Sequence, residues 1–403
     1  MSCRQKKKDS LSLNINGPPL WILFLSFLRI GSTAFGGFMA LISVVQTEIV
    51  ERKKLLTHGE MLDGISLATI LPGPIAVNIV AYVGYKLRGG LGALVSAVGV
   101  ILPAFILMVA LSAAYFRWGQ IPVVNKLFFG FIPAVTAIIV HAAWGMARKA
   151  ILGLPEFAIA VIACLLPLYK GGFYITLIII VGAGLIGWLS FGPFSNISAG
   201  TAENKPARKR HRVKLLALNA PLAAVPLLAL DAGLAVKLFL TFAGMSLLLF
   251  GGGFVVIPLI EQIVVQEQVW LTRQEFIDAI ALGQITPGPI LISAAFIGYK
   301  VMGLVGAAIA AVAIFLPPAL LMLVSAHFLT RMRESMVVQA VLRGIRPAVI
   351  GMIAAAAWSI GTTAVPNWLS VVIFLAALIA LLRLRVDVAW IIPSAGLTGL
   401  LLY

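Results

Sequence analysis

Charge is scarce in this sequence. Of 403 residues only 44 carry it, 30 Lys or Arg and 14 Asp or Glu, which is 11%. A typical soluble domain carries about 25%. With 61% of its residues hydrophobic, the chain has too little polar side chain to cover a soluble globule, and it is far too apolar for a disordered chain. Cysteine and histidine are scarce as well. Cys3 and Cys164 supply neither a disulfide framework nor a metal spacing. His58, His141, His211 and His327 are scattered, with no pair three or four residues apart, so a metal centre is not expected. There is no nucleophile elbow, no phosphate-binding P-loop and no HExxH. Enzymatic chemistry, a resident cofactor and ATP-driven transport by this chain are not expected.

What is present is a series of apolar runs suited to a hydrocarbon core about 30 Å thick, which needs roughly 20 residues per helix. They fall at 19–45, 65–85, 90–116, 127–147, 151–169, 172–193, 215–230, 234–260, 276–299, 302–329, 341–362, 367–382 and 387–403. The fold class expected is an all-α polytopic membrane protein embedded in a lipid bilayer, with about 13 crossings. The run from Pro19 is a retained first helix, not a signal peptide, because Arg29 interrupts it and no small-residue cleavage site closes a short core. The weakest crossings are 215–230, which is short, and 65–85 and 276–299, each interrupted by Pro-Gly-Pro. Whether those two cross fully or re-enter stays open.

Basic residues orient such a protein. With all thirteen segments crossing and the N-terminus cytoplasmic, 21 basic residues lie inside and 8 outside, with Arg29 inside a span. The cluster Lys205, Arg208, Lys209, Arg210, Arg212 and Lys214 is then a cytoplasmic loop and not a nucleic-acid site. The C-terminus is expected outside.

The chain repeats itself at an offset of 215. FGGFMALISVVQ at Phe35 answers FGGGFVVIPLIE at Phe250. LLTHGEMLDGISLATILPGP at 55–74 answers WLTRQEFIDAIALGQITPGP at 270–289. After a one-residue slip the offset is 214, pairing Gly84-Tyr85-Lys86 with Gly298-Tyr299-Lys300, then Gly130, Pro133 and Trp144 with Gly344, Pro347 and Trp358. The expected organisation is a basic cytoplasmic tail (1–18), a first transmembrane repeat (19–194), a basic loop with a linker helix (195–233) and a second repeat (234–403). If 215–230 crosses, the six-helix repeats have inverted topology, the usual build of a secondary transporter.

Two prolines and a glycine inside an apolar segment break a helix. A new half-helix is expected near Pro74 and near Pro289, each presenting free N–H groups and a positive dipole end to an anion. The candidate binding residues are therefore Pro72, Gly73, Pro74, Pro287, Gly288 and Pro289, with Asn78, Ser293 and Gln284 as hydrogen-bond donors. Gly36, Gly37, Gly251 and Gly252 suit a second unwound point or close helix packing. Arg29 either faces an anion or snorkels to an interface. Thr57 with Glu60, and Thr272 with Glu275, read as capping boxes. Asp63 and Asp278 are either proton-coupling carboxylates or first-turn charges.

FLRIGSTAFGG, LPGPIAVNIVAYVGYKLRGGLGA and ILPAFILM, with FGGGFVVIPLIE, TPGPILISAAFIGYK and FLPPALLM in the second half, resemble the chromate ion transporter family in its long, two-domain form. The FGG motif falls on Phe35, Gly36 and Gly37, and the PGP motif on Pro72, Gly73 and Pro74. Many members have proline after FGG, where this sequence has Phe38. The resemblance implies an inner-membrane secondary transporter of chromate or sulfate that confers chromate resistance by efflux, with protons as coupling ion. A channel, or a carrier of another small anion, remains the alternative. Oligomeric state stays open, a homodimer among the options.

Overall fold

The computed structural model describes residues 18–34, 37–118, 122–169, 173–191, 231–249, 256–326, 335–362, 368–384, 386 and 388–402. Among them are 14 α-helices and no strand. The tail 1–17, the basic loop and linker segment 215–230, and Phe35, Gly36, Gly251 and Gly252 lie outside the described residues.

The first half runs α1 (Leu20–Thr33), α2 (Gly37–Val45) with a π-helical end (Gln46–Arg52), α3 (His58–Ile70), α4 (Ile75–Trp118), α5 (Pro122–Ala150), α6 (Leu154–Tyr169) and α7 (Phe173–Phe191). The second runs α8 (Ala232–Leu247), α9 (Val256–Glu261) with a π-helical end (Gln262–Glu267), α10 (Arg273–Ile285), a 3-10 turn (Ile290–Ile292), α11 (Ser293–Ala326), α12 (Met336–Gly361), α13 (Trp368–Ile379) and α14 (Val388–Leu402). The expected capping boxes are both formed. Thr57 accepts from the Glu60 N–H and Thr272 from the Glu275 N–H, while each glutamate returns a bond to the cap's own N–H.

Four long, apolar helices, within α4, α5, α11 and α12, are able to cross a membrane by length and composition. This is an all-helical membrane architecture. Two of them are double. In α4 the backbone leaves helical geometry at Arg88 and Gly89 (φ 65°), and in α11 at Met302 and Gly303 (φ 61°). At each point the chain turns back sharply. Gly84 then packs directly on Gly92, and Gly298 on Gly306, where any side chain would collide with backbone.

The segments 65–85 and 276–299, open between crossing and re-entry in the sequence, fold back at Pro-Gly-Pro. In the first, Gly64 lies against Tyr82: a Cβ at Gly64 would sit 2.5 Å from the ring. In the second, Lys300 Nζ reaches Glu275 Oε1 at 2.8 Å. A continuous helix would hold residues 64 and 82 about 27 Å apart. Each arm of such a hairpin, 13 residues in α3, rises only about 20 Å, short of a hydrocarbon core of roughly 30 Å. The run 19–45 is likewise divided. Lys53 Nζ reaches Ser26 Oγ at 2.6 Å, so the chain also returns on itself after α1.

The halves interlock through the remaining helices. α12 packs on α6 and α7 of the first half, while α5 packs on α13 and α14 of the second. Glycines allow the closest approaches: Gly187 on Gly344, Gly351 on Ala160, and Gly130 on Gly399. One ion pair joins the halves there, and a second lies within the second half. Glu156, 1% exposed, accepts from Arg343 Nη2 at 2.8 Å. Glu261 accepts from Arg273 Nε at 3.1 Å and from Ser359 Oγ at 3.1 Å, and Arg273 also donates to Ser359.

A candidate anion site at two helix breaks

Each Pro-Gly-Pro tip rests on the opposite half. The Gly73 N–H donates to the Leu249 carbonyl at 2.6 Å, and the Gly288 N–H to the Ala34 carbonyl at 2.9 Å. Leu249 and Ala34 follow the ends of α8 and α1, where carbonyls lack intrahelical partners. Both donors and both acceptors are separated by 215 residues, the offset of the repeat. Gly73 and Gly288 hold φ 110° and 105°, a region open to glycine. Gly73 packs against Pro318 of α11, and Gly288 faces Ala104 of α4 across an ordinary contact distance.

The glycine N–H groups are therefore committed to stitching the halves together. What stays available are the first-turn donors beyond each tip. The N–H groups of Ile75, Ala76 and Val77 have no carbonyl one turn earlier to bond, and all three residues are buried. Ile290 and Leu291 stand in the same position after Pro289, and they too are buried.

Around these turns lie buried side-chain groups without hydrogen-bond partners among the described residues: Asn78 Oδ1, Gln284 Nε2 and Ser293 Oγ. The Asn78 amide nitrogen donates to the Pro72 carbonyl at 3.2 Å and so helps close the break. Its oxygen is an acceptor, which leaves Gln284 and Ser293 as the side-chain donors. Gly283 packs beside Ser293, which brings Ser293 next to the residue preceding Gln284. Unsatisfied buried polar atoms are rare and costly, and three of the five found among the described residues are residues expected from the sequence to bind.

The remaining expected residues separate. Pro287 and Pro289 are buried, as is Pro74, and Pro72 is half-buried. Arg29 is exposed, off the face that α1 buries through Leu23, Phe27 and Ile30, and makes no side-chain hydrogen bond or ion pair among the described residues. It lies five residues before Ala34, whose carbonyl receives the Gly288 N–H. Gly37 begins α2. Asp63 and Asp278 differ in setting although they match in sequence. Asp63 is half-buried. Asp278 is 1% exposed and accepts from Tyr115 Oη at 2.7 Å and Gln274 Nε2 at 2.9 Å. Tyr115, on the far end of α4, was not singled out by sequence. Its counterpart at an offset of 214 is Leu329, so the repeat gives no signal for it. No group of three or more metal-ligating side chains occurs among the described residues.

An all-helical chain with long apolar helices, broken at matched points over buried, unpaired polar groups, is an integral membrane protein of the transporter kind. The sequence matches the chromate transporter family over residues 21–188 and 236–400. The chain belongs to that family. A chromate transport protein of Cupriavidus metallidurans is 29% identical over 94% of this chain and 92% of its own length. A probable chromate transport protein of Synechococcus elongatus is 30% identical over 94% of each, and a chromate transport protein of Pseudomonas aeruginosa 29% identical over 100% of this chain and 97% of its own. No solved structure matches the chain.

Proposed function

We propose that this protein is a secondary transporter that moves a tetrahedral oxyanion, chromate and by the same geometry sulfate, out of the cell by alternating access, coupled to the proton gradient. The reciprocal bonds Gly73 to Leu249 and Gly288 to Ala34 carry this reading. Each joins a Pro-Gly-Pro tip of one half to the first hairpin of the other half, which enters the membrane from the opposite side, so that an anion held by first-turn N–H groups sits where the halves meet. Discontinuous helices whose half-helix N-termini face an anionic substrate near the midplane are an established transporter arrangement.

In this reading the four segments 19–45, 65–85, 234–260 and 276–299 are re-entrant and nine others cross, 215–230 among them. The parity is unchanged, so the N-terminus stays cytoplasmic and the C-terminus outside. The charge distribution supports it. Arg52, Lys53 and Lys54 move to the cytoplasmic side and Arg273 leaves it, which changes the division of basic residues from 21 against 8 to 23 against 6. Long-range contacts agree with inversion. Arg343 meets Glu156 at cytoplasmic helix ends, while Asp278 meets Tyr115, and Glu261 meets Ser359, at outer ones.

A dianion leaving a negative-inside cell gains about 2.3 kcal/mol per charge per 100 mV, so efflux is electrically downhill and the proton serves to reset the carrier. Asp278 is the residue for that step. Its carboxylate ties the second hairpin to α4 through Tyr115, and protonation would turn one of its two acceptor oxygens into a donor, remove the charge and weaken that tie. Ser293 and Gln284 offer hydrogen bonds to the oxyanion, and Arg29, near the Ala34 end of α1, offers charge.

The test is uptake of labelled chromate and sulfate into everted membrane vesicles with and without an imposed pH gradient. Accumulation of chromate that depends on the gradient supports the reading. Membranes containing the protein that take up neither anion above the level of empty membranes would overturn it.

A further inference from the structure

A polar cleft of about 590 Å³ lies between the C-terminal end of α3 and the N-terminal half of α12, bounded by the α5–α6 turn and the end of α7. Its walls carry Ser66 and Thr69 from α3 and Gln339, Arg343 and Arg346 from α12. Ser66 and Thr69 lie within two turns of Pro72, so the cleft runs from the helix-end surface toward the first Pro-Gly-Pro tip. The α5–α6 turn, the end of α7 and the start of α12 belong to the cytoplasmic face in the topology proposed above, while the end of α3 is the re-entrant tip.

The two arginines are not equivalent. Arg343 is fixed: its Nε and Nη2 turn to the buried Glu156, and its guanidinium lies 4.0 Å from the centre of the Phe191 ring. That pair is close to neutral. Arg346, one turn further along α12, is exposed and makes no hydrogen bond or ion pair among the described residues. It gives the cleft its net positive charge. The matched positions in the first half, at an offset of 214, are Phe129 for Arg343 and Ile132 for Arg346, and Ile132 is fully buried. The repeat therefore places cations at this cleft and apolar side chains at its counterpart. Structural requirements common to both halves do not explain the difference.

We propose that this cleft is the cytoplasmic mouth of the transport path, in which Arg346 captures the oxyanion and the Arg343 edge and the Ser66 hydroxyl pass it toward the tip at Pro72-Gly73-Pro74. This rests on the oxyanion-transporter reading. A positive, low-dielectric cleft raises the local concentration of an anion and its rate of arrival, and an exposed guanidinium does so without holding the ion too tightly to release it. The asymmetry makes the protein a better acceptor of anion from the cytoplasmic side than from the outer side.

The experiment uses the full-length protein reconstituted in phosphatidylcholine vesicles. Chromate transport is measured from each face, selected by a membrane-impermeant thiol reagent that inactivates one orientation of a single-cysteine background. Arg346→Gln is expected to raise the KM for chromate on the cytoplasmic face about tenfold with little change in maximal rate or in KM on the outer face, and Arg346→Lys to restore most of it. Raising the ionic strength should shrink the difference between Arg346→Gln and the parent. An unchanged cytoplasmic KM in a variant that is folded and active overturns the vestibule while leaving the transporter reading intact. A parent protein that moves no chromate overturns both. An effect of Arg346→Gln that appears only when phosphatidylglycerol is added assigns the cleft to a lipid headgroup and overturns the proposal.

Discussion

The Gly73 N–H meets the Leu249 carbonyl at 2.6 Å, across the boundary between the two halves of the chain. A second bond of the same kind joins Gly288 to Ala34 at 2.9 Å. Each bond satisfies a carbonyl beyond a helix end and anchors a tip where the backbone has left helical geometry. The two bonds make one half's Pro-Gly-Pro tip depend on the other half's first hairpin.

The surroundings of the two glycines differ, and so should the cost of replacing them. An alanine at φ near 110° is strained by about 1–3 kcal/mol at either site. At Gly73 its Cβ would also overlap Pro318, whereas at Gly288 the nearest atom, Ala104 Cβ, stands 3.5 Å away. Gly73→Ala is expected to lower the thermal stability of the detergent-purified protein more than Gly288→Ala, and to abolish transport. Equal melting temperatures for the two variants would contradict the packing described at Pro318.

The proposed re-entry at Pro-Gly-Pro would place residues 54 and 88 on one side of the membrane, where a full crossing would separate them. Single cysteines at Lys54 and Arg88, in a background with Cys3 and Cys164 replaced by serine, should both react with an impermeant thiol reagent only in everted vesicles. Labelling from opposite sides would mean that 65–85 spans the bilayer.

The buried Glu261 depends on Arg273 and Ser359. Removing one partner of such a pair leaves a desolvated charge and typically costs on the order of 3–5 kcal/mol. Arg273 is 41% exposed, so the loss for Arg273→Ala should sit near the lower end. Arg273→Ala is expected to melt well below the parent, and Glu261→Gln with Arg273→Ala together should recover part of the loss. A double variant no more stable than the single one would show that the two side chains are not coupled.

Asp278 accepts from Tyr115 across the halves. Asp278→Asn should remove the response of chromate accumulation to a pH gradient while leaving anion exchange at equal pH measurable. Tyr115→Phe should weaken the response by a smaller factor. A full gradient response in Asp278→Asn would remove this carboxylate from proton coupling.

Local signals were legible in the sequence and distant ones were not. Thr57 with Glu60 and Thr272 with Glu275 announced helix starts because a capping box is built from residues three apart, and both formed. The two Pro-Gly-Pro breaks were equally plain. The change of offset from 215 to 214 was visible without its cause. After Pro289 the chain makes a 3-10 turn over Ile290–Ile292, where the first half enters α4 directly at Ile75. A 3-10 turn gains about 0.5 Å per residue over an α-helix, and over three residues that amounts to the rise of the one residue missing. Folding back was hidden because two apolar arms joined end to end have the same length and composition as one span. The pairs Glu156 with Arg343 and Asp278 with Tyr115 were hidden for a different reason. Their partners lie 187 and 163 residues apart, and neither pair repeats between the halves.

Counterflow tests the central claim most directly. Purified protein in phosphatidylcholine vesicles preloaded with unlabelled chromate is diluted into a trace of labelled chromate with no pH gradient. A carrier that alternates around one oxyanion site should accumulate label transiently above equilibrium, with saturation and with competition by external sulfate. A channel would show monotonic equilibration with no overshoot and no benefit from preloading, and that result would contradict alternating access around the paired tips.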